Sequence, residues 1–143
     1  MKNSIIIFSI LAFLLTSCSS GPQPIALGKD ACSFCKMTIA DRNFGAELIT
    51  NKGKLYKFDD THCLAAFKKA SLKNEDVKSV YFVNFLDPHN FIEADKAHFL
   101  QSEELHSPMG GNTAVFENED TLKMTQQKTG GNIITLADVY NMK

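Results

Sequence analysis

Apolar residues are distributed along this chain in two ways. Near the start they form one nearly unbroken run, Ile5-Ile6-Ile7-Phe8-Ser9-Ile10-Leu11-Ala12-Phe13-Leu14-Leu15. Further on they come in short stretches separated by turn formers, the texture of a folded domain. Gly45 to Thr50 and Lys54 to Phe58 read as strands joined by the turn Asn51-Lys52-Gly53. Asp59 or Asp60 supplies an N-cap for a helix reaching about Leu72, with Cys63, Leu64, Phe67 and Ala70 on related faces. Ser79 to Leu86 is apolar and β-branched enough for a further strand, ended by Asp87-Pro88.

The same order then returns more loosely. Ala97 to Gln101 reads as a strand, followed by a long loop with His106-Ser107-Pro108-Met109-Gly110-Gly111. Thr113 to Phe116 is the next strand, and a helix runs from about Asn118 to Lys128, stopped by Gly130-Gly131. Asn132 to Leu136 closes as a strand. Phe58-Asp59-Asp60 and Phe116-Glu117-Asn118 occupy the same strand-to-helix junction. The expected fold is therefore α+β: two similar ββαβ units, residues 30–90 and 91–143, packed into one compact mature protein. A single α+β sheet with coincidental symmetry is the competing expectation.

The first apolar run has a different meaning. Lys2 precedes it, and Leu15-Thr16-Ser17-Cys18 follows as an aliphatic residue, two small residues and a cysteine, the pattern of a lipobox. The run is shorter than the ~20 residues of a membrane-spanning helix. Residues 1–17 thus read as a lipoprotein export signal, with Cys18 as the lipid-bearing first residue of the mature chain. Each buried methylene adds roughly 0.8 kcal/mol, so a multiply acylated cysteine holds a protein on a membrane more or less permanently. Ser19-Ser20-Gly21-Pro22-Gln23-Pro24 suits a spacer, and residues 18–29 are expected to be a flexible tether. The expected location is the bacterial cell envelope, lipid-anchored and facing the periplasm, where disulfides can form.

Composition narrows the chemistry. A hydrophobic fraction of 44% with 22% charged residues is globular, and a net charge of −1 offers no clustered basic surface for nucleic acid. With Cys18 taken by lipid, Cys32, Cys35 and Cys63 remain. An odd number cannot pair fully within one chain, so at least one thiol stays free or binds something. Under oxidant, Cys32 and Cys63 are expected to bridge and leave Cys35 available.

Cys32-Ser33-Phe34-Cys35-Lys36-Met37 admits several readings. A thioredoxin-type pair opens a helix after a strand, whereas here a tether precedes it. Haem attachment requires a histidine where Lys36 stands. A structural zinc site needs two more ligands, which His62 and Cys63 could supply. The last reading is Cu(I), because thiolate and thioether are soft donors that favour it over harder ions. Cys35 and Met37 are two apart and could face one side of an extended or looped backbone. Met109 lies in a loop without apolar partners at helical or strand spacing, so ligation competes there with surface packing.

The order of these features is similar to the NosL family. The carriers of the resemblance are Cys35-Lys36-Met37, then Thr38-Ile39-Ala40-Asp41 and the strand-turn-strand, Pro108-Met109-Gly110, the Ala114-Val115-Phe116 strand and the closing Gly130-Gly131. It covers nearly the whole mature chain. NosL proteins are periplasmic Cu(I)-binding lipoproteins that assist assembly of the copper centres of nitrous oxide reductase. The resemblance implies two similar ββαβ units and ligands at Cys35, Met37 and Met109. It also implies two partners, a copper-receiving reductase and a membrane assembly transporter. Cys32 and Cys63 depart from the simplest family pattern; they could enlarge the metal site, form a disulfide or mark a branch with another client.

Other residues weigh less. His106 is near enough to Met109 in sequence to be a further ligand, against an exposed loop histidine. His62, His89 and His98 form no paired HxxxH spacing. No nucleophile elbow, P-loop or Rossmann pattern is present, and nothing suggests an enzyme. The alternative function is a structural or interaction lipoprotein whose cysteines bind zinc or pair for stability.

Overall fold

The computed structural model describes residues 21–142, so the export signal and the lipidation assignment at Cys18 lie outside the described residues. Strands β1 (Ala46–Thr50) and β2 (Leu55–Phe58) form the expected hairpin. Helix α1 (Thr61–Ser71) follows, and β3 (Val77–Asn84) returns on the other side of β1. In the second half, β5 (His98–Gln101) and β6 (Thr113–Phe116) precede helix α2 (Glu119–Thr129), after which β7 (Asn132–Ile134) pairs with β5. Both sheets are antiparallel, and both place the first strand of the unit in the middle: β2-β1-β3 in one, β6-β5-β7 in the other.

The two strand-to-helix junctions match in detail. Phe58 and Phe116 end their strands fully buried. Asp60 then accepts the Cys63 N–H at 3.0 Å, and Asn118 accepts the Thr121 N–H at 3.0 Å, each satisfying a donor that the helix leaves open.

Three stretches differ from the sequence reading. Asp87-Pro88 does not end the first sheet: the chain turns at Phe85-Leu86 and returns as β4 (Asp87–Glu93) beside β3. Proline has no N–H for a ladder, and β4 is an edge strand, where that loss is tolerated. Thr135 leaves the last strand to cap a short helix, α3 (Leu136–Tyr140). Its hydroxyl accepts the Asp138 N–H while the Asp138 carboxylate accepts the Thr135 N–H. Finally, the described part of the expected tether lies on the fold. The Gln23 N–H reaches the Glu47 carboxylate at 2.8 Å, Lys57 Nζ reaches the Pro24 carbonyl, and Ile25 packs against the core.

Strand alternation divides the interior. Ala46 and Leu48 of β1 meet Leu64 and Phe67 of α1 in the larger core, and Phe99 and Val115 join it from the second sheet. Leu100, Ala114 and Phe116 belong to a second cluster with Leu122 of α2. Phe85 N–H also donates to the Val115 carbonyl at 2.8 Å, tying the two sheets through backbone as well as side chains.

Candidate metal centre

The cysteine loop is built as a small appendage on β2. Ala31 bridges Thr38, the Cys32 N–H reaches the Met37 carbonyl at 2.8 Å, and the Lys36 N–H reaches the Cys32 carbonyl at 3.0 Å. Ser33 fastens this loop to the sheet edge: its N–H donates to the Lys57 carbonyl, and its hydroxyl accepts the Lys57 N–H. Lys57 also pairs with Asp30 at 2.7 Å. The loop is thereby held against the strand that leads into α1, whose first turn carries Cys63.

The consequence is a sulfur cluster. The Cys32, Cys35 and Cys63 sulfurs all lie within 4.8 Å of one another; Cys32 and Cys63 are fully buried and Cys35 is partly exposed. All three are free thiols. No histidine or carboxylate, His62 included, joins them among the described residues. Cys32 is the first of the three to ionise. The Cys63 thiol donates to its sulfur, and the backbone N–H groups of Asp59, Cys35 and Phe34 add to that, holding its pKa well below the ordinary thiol value despite burial. The same bond keeps the proton on Cys63 and drives its pKa far up. Burial pushes Cys35 up as well. Asp59 stands beside this charge with one carboxylate oxygen unpartnered, and burial, reinforced by Cys32 and Asp60, raises it to about 6. The cluster in this state is one thiolate and two thiols, a soft anionic pocket that a cation completes by displacing the remaining protons.

The other proposed ligands are placed unequally. Met109 is half-buried and packs against the core cluster that contains Cys32 and Cys63. Its N–H donates to the Asp60 carboxylate at 3.0 Å, as do the Ser107 hydroxyl at 2.7 Å and the Gly111 N–H at 3.2 Å. Met37 is 56% exposed. Lys36, between Cys35 and Met37, has φ 66°, a left-handed step that is uncommon for a residue other than glycine. His106 is exposed. Sequence reasoning took Asp60 for a helix cap only. Its bonds to the Met109 loop join segments more than forty residues apart, and no local pattern announces them.

Comparison with known proteins gives the chain a family context. The NosL family profile matches residues 24–142. The crystal structure of the copper chaperone NosL from Shewanella denitrificans superposes with a TM-score of 0.75 at 21% identity, covering 88% of this chain and 100% of that one. No curated protein matches.

Proposed function

This chain belongs to the NosL family, and on that footing we propose that it is a membrane-anchored, extracytoplasmic carrier of Cu(I). The observation that carries the reading is the meeting of three cysteine sulfurs within 4.8 Å, two of them sealed and one half-open. Thiolates prefer Cu(I), and a site with few ligands releases it by exchange rather than by waiting for dissociation. Cys35, the most accessible of the three, is where an incoming sulfur of an acceptor would attack. Cys32 and Cys63 hold the ion from behind. Met109 adds a neutral thioether, while Met37, on the outside of the same loop, offers a sulfur for first capture or for release. The protein performs no reaction in this reading; it moves an ion.

The remaining elements of the proposal rest on the sequence pattern of residues 1–18 and, for the partners, on what the family resemblance implies. Residues 1–17 direct export, Cys18 bears the lipid, and the protein faces the periplasm. Its partners are a copper-receiving reductase, with nitrous oxide reductase as the client, and the membrane transporter of that assembly system.

The test is metal competition. Reduced protein kept free of oxygen is titrated with Cu(I) against a chromophoric chelator, with Zn(II) present. The expected result is about one Cu(I) per monomer and Cu(I) retained over Zn(II). Preference for Zn(II) overturns the carrier reading in favour of a structural zinc site.

A further inference from the structure

We propose that Asp60 is the positioning residue of this centre: one carboxylate fixes the Met109 thioether relative to the Cys63 thiol. The inference rests on reading the sulfur cluster as a Cu(I) site. Asp60 is fully buried and, among the described residues, has no cationic partner in an ion pair. Its charge is met by donors alone. One oxygen takes the Cys63 N–H; the other takes the Ser107 hydroxyl, the Met109 N–H and the Gly111 N–H. A buried carboxylate without a cation is costly unless such donors surround it.

The molecule contains its own control. Asn118 occupies the equivalent cap of the second unit, and there a neutral, exposed side chain accepts the Thr121 N–H, with the Thr121 hydroxyl beside it. Capping a helix therefore requires neither burial nor charge. What Asp60 adds is its second oxygen, which gathers three donors from a loop more than forty residues away. The fit is close: a Cβ on Gly111 would stand 2.7 Å from Thr61 Oγ1 and 3.0 Å from the His62 N–H nitrogen. The Met109 loop is thus seated on the first turn of α1, the turn that presents Cys63, and the two sulfur residues are held by one group.

Asp60→Asn separates the two roles. The amide oxygen still caps α1, but the amide nitrogen now faces three donors and repels the loop. The full-length protein and the variants Asp60→Asn, Met109→Leu and the double variant are compared by Cu(I) competition and by amide hydrogen exchange without metal. Asp60→Asn is expected to keep the fold, to lose protection at Met109 and Gly111, and to bind Cu(I) about tenfold more weakly, as changes behind a metal ligand commonly do. The double variant is expected to bind no worse than Met109→Leu alone, because Asp60 acts through Met109. Losses that add, or unchanged Cu(I) affinity with the loop amides freed, overturn the proposal. If Asp60→Asn fails to fold, Ser107→Ala removes one loop donor without touching the cap, and the same non-additivity with Met109→Leu decides. Should the parent protein not bind Cu(I), the carrier reading fails, whereas exchange at Met109 and Gly111 still reports whether Asp60 holds the loop.

Discussion

The rings of Phe82 and Phe99 meet edge to face, with centroids 5.1 Å apart and an interplanar angle of 86°. Phe82 lies on β3 and Phe99 on β5, so the contact crosses from one sheet to the other, and both rings are almost wholly buried. Phe82→Ala is expected to destabilise the protein by about 3–5 kcal/mol, the usual range for a buried phenylalanine. Urea unfolding followed by circular dichroism measures it. Both sheets should melt in one transition; two separate transitions would show that the sheets are stable separately, and parental stability in the variant would show that the contact contributes nothing.

The thiols should titrate in sequence. Thiolate absorbance in the metal-free protein is expected to show one group ionising well below the ordinary thiol range, lost in Cys32→Ala, while the other two stay protonated at neutral pH. On the Cu(I) proposal the ion displaces protons from Cys35 and Cys63, so affinity should rise with pH through the neutral range. A pH-independent affinity would contradict this charge distribution.

Glu47 gives a separate pH effect on stability. It is fully buried on β1 with one carboxylate oxygen unpartnered, and burial raises its pKa to about 7 against the help of the Gln23 N–H and the Lys57 charge. The folded state holds this proton more tightly than the unfolded chain does. Its contribution is therefore complete below the ordinary glutamate value of 4.5 and is lost as pH rises through about 7. Glu47→Gln removes the ionisation, so thermal melts at about pH 8 should favour the variant by on the order of 2 kcal/mol, with the gap closing toward about pH 5. A gap that stays constant with pH would mean that Glu47 does not titrate there.

Cys18→Ala should remove the acyl acceptor and leave a precursor without lipid. Fractionation with fatty-acid labelling decides: label or membrane association persisting in the variant would refute the anchor.

What could be read from the sequence was local. Asp60 and Asn118 announce their helices because a cap acts on the third residue along, and the hairpin at Asn51-Lys52-Gly53 is a matter of neighbouring residues. β4 was hidden by Pro88, which reads as a terminator until β4 is known to be an edge. Cys32, Cys35 and Cys63 were each candidates, but their convergence depends on Ser33 fastening the loop to Lys57, a contact between segments. Spacing put Cys35 and Met37 two apart, but the residue between them, Lys36, has a positive φ and Met37 is exposed, and nothing in the residue type Lys foretells that.

The sulfur cluster is assembled from a loop on the edge of a sheet and the opening turn of a helix. An unfolded chain has no such pocket, so a bound ion would act as a staple on the native form alone. At one hundred times its dissociation constant it would add about 2.7 kcal/mol to stability. On the proposal of an envelope copper carrier, empty copies would be the ones that proteases find first, and the number of surviving copies would follow the copper supply without any regulator to count it.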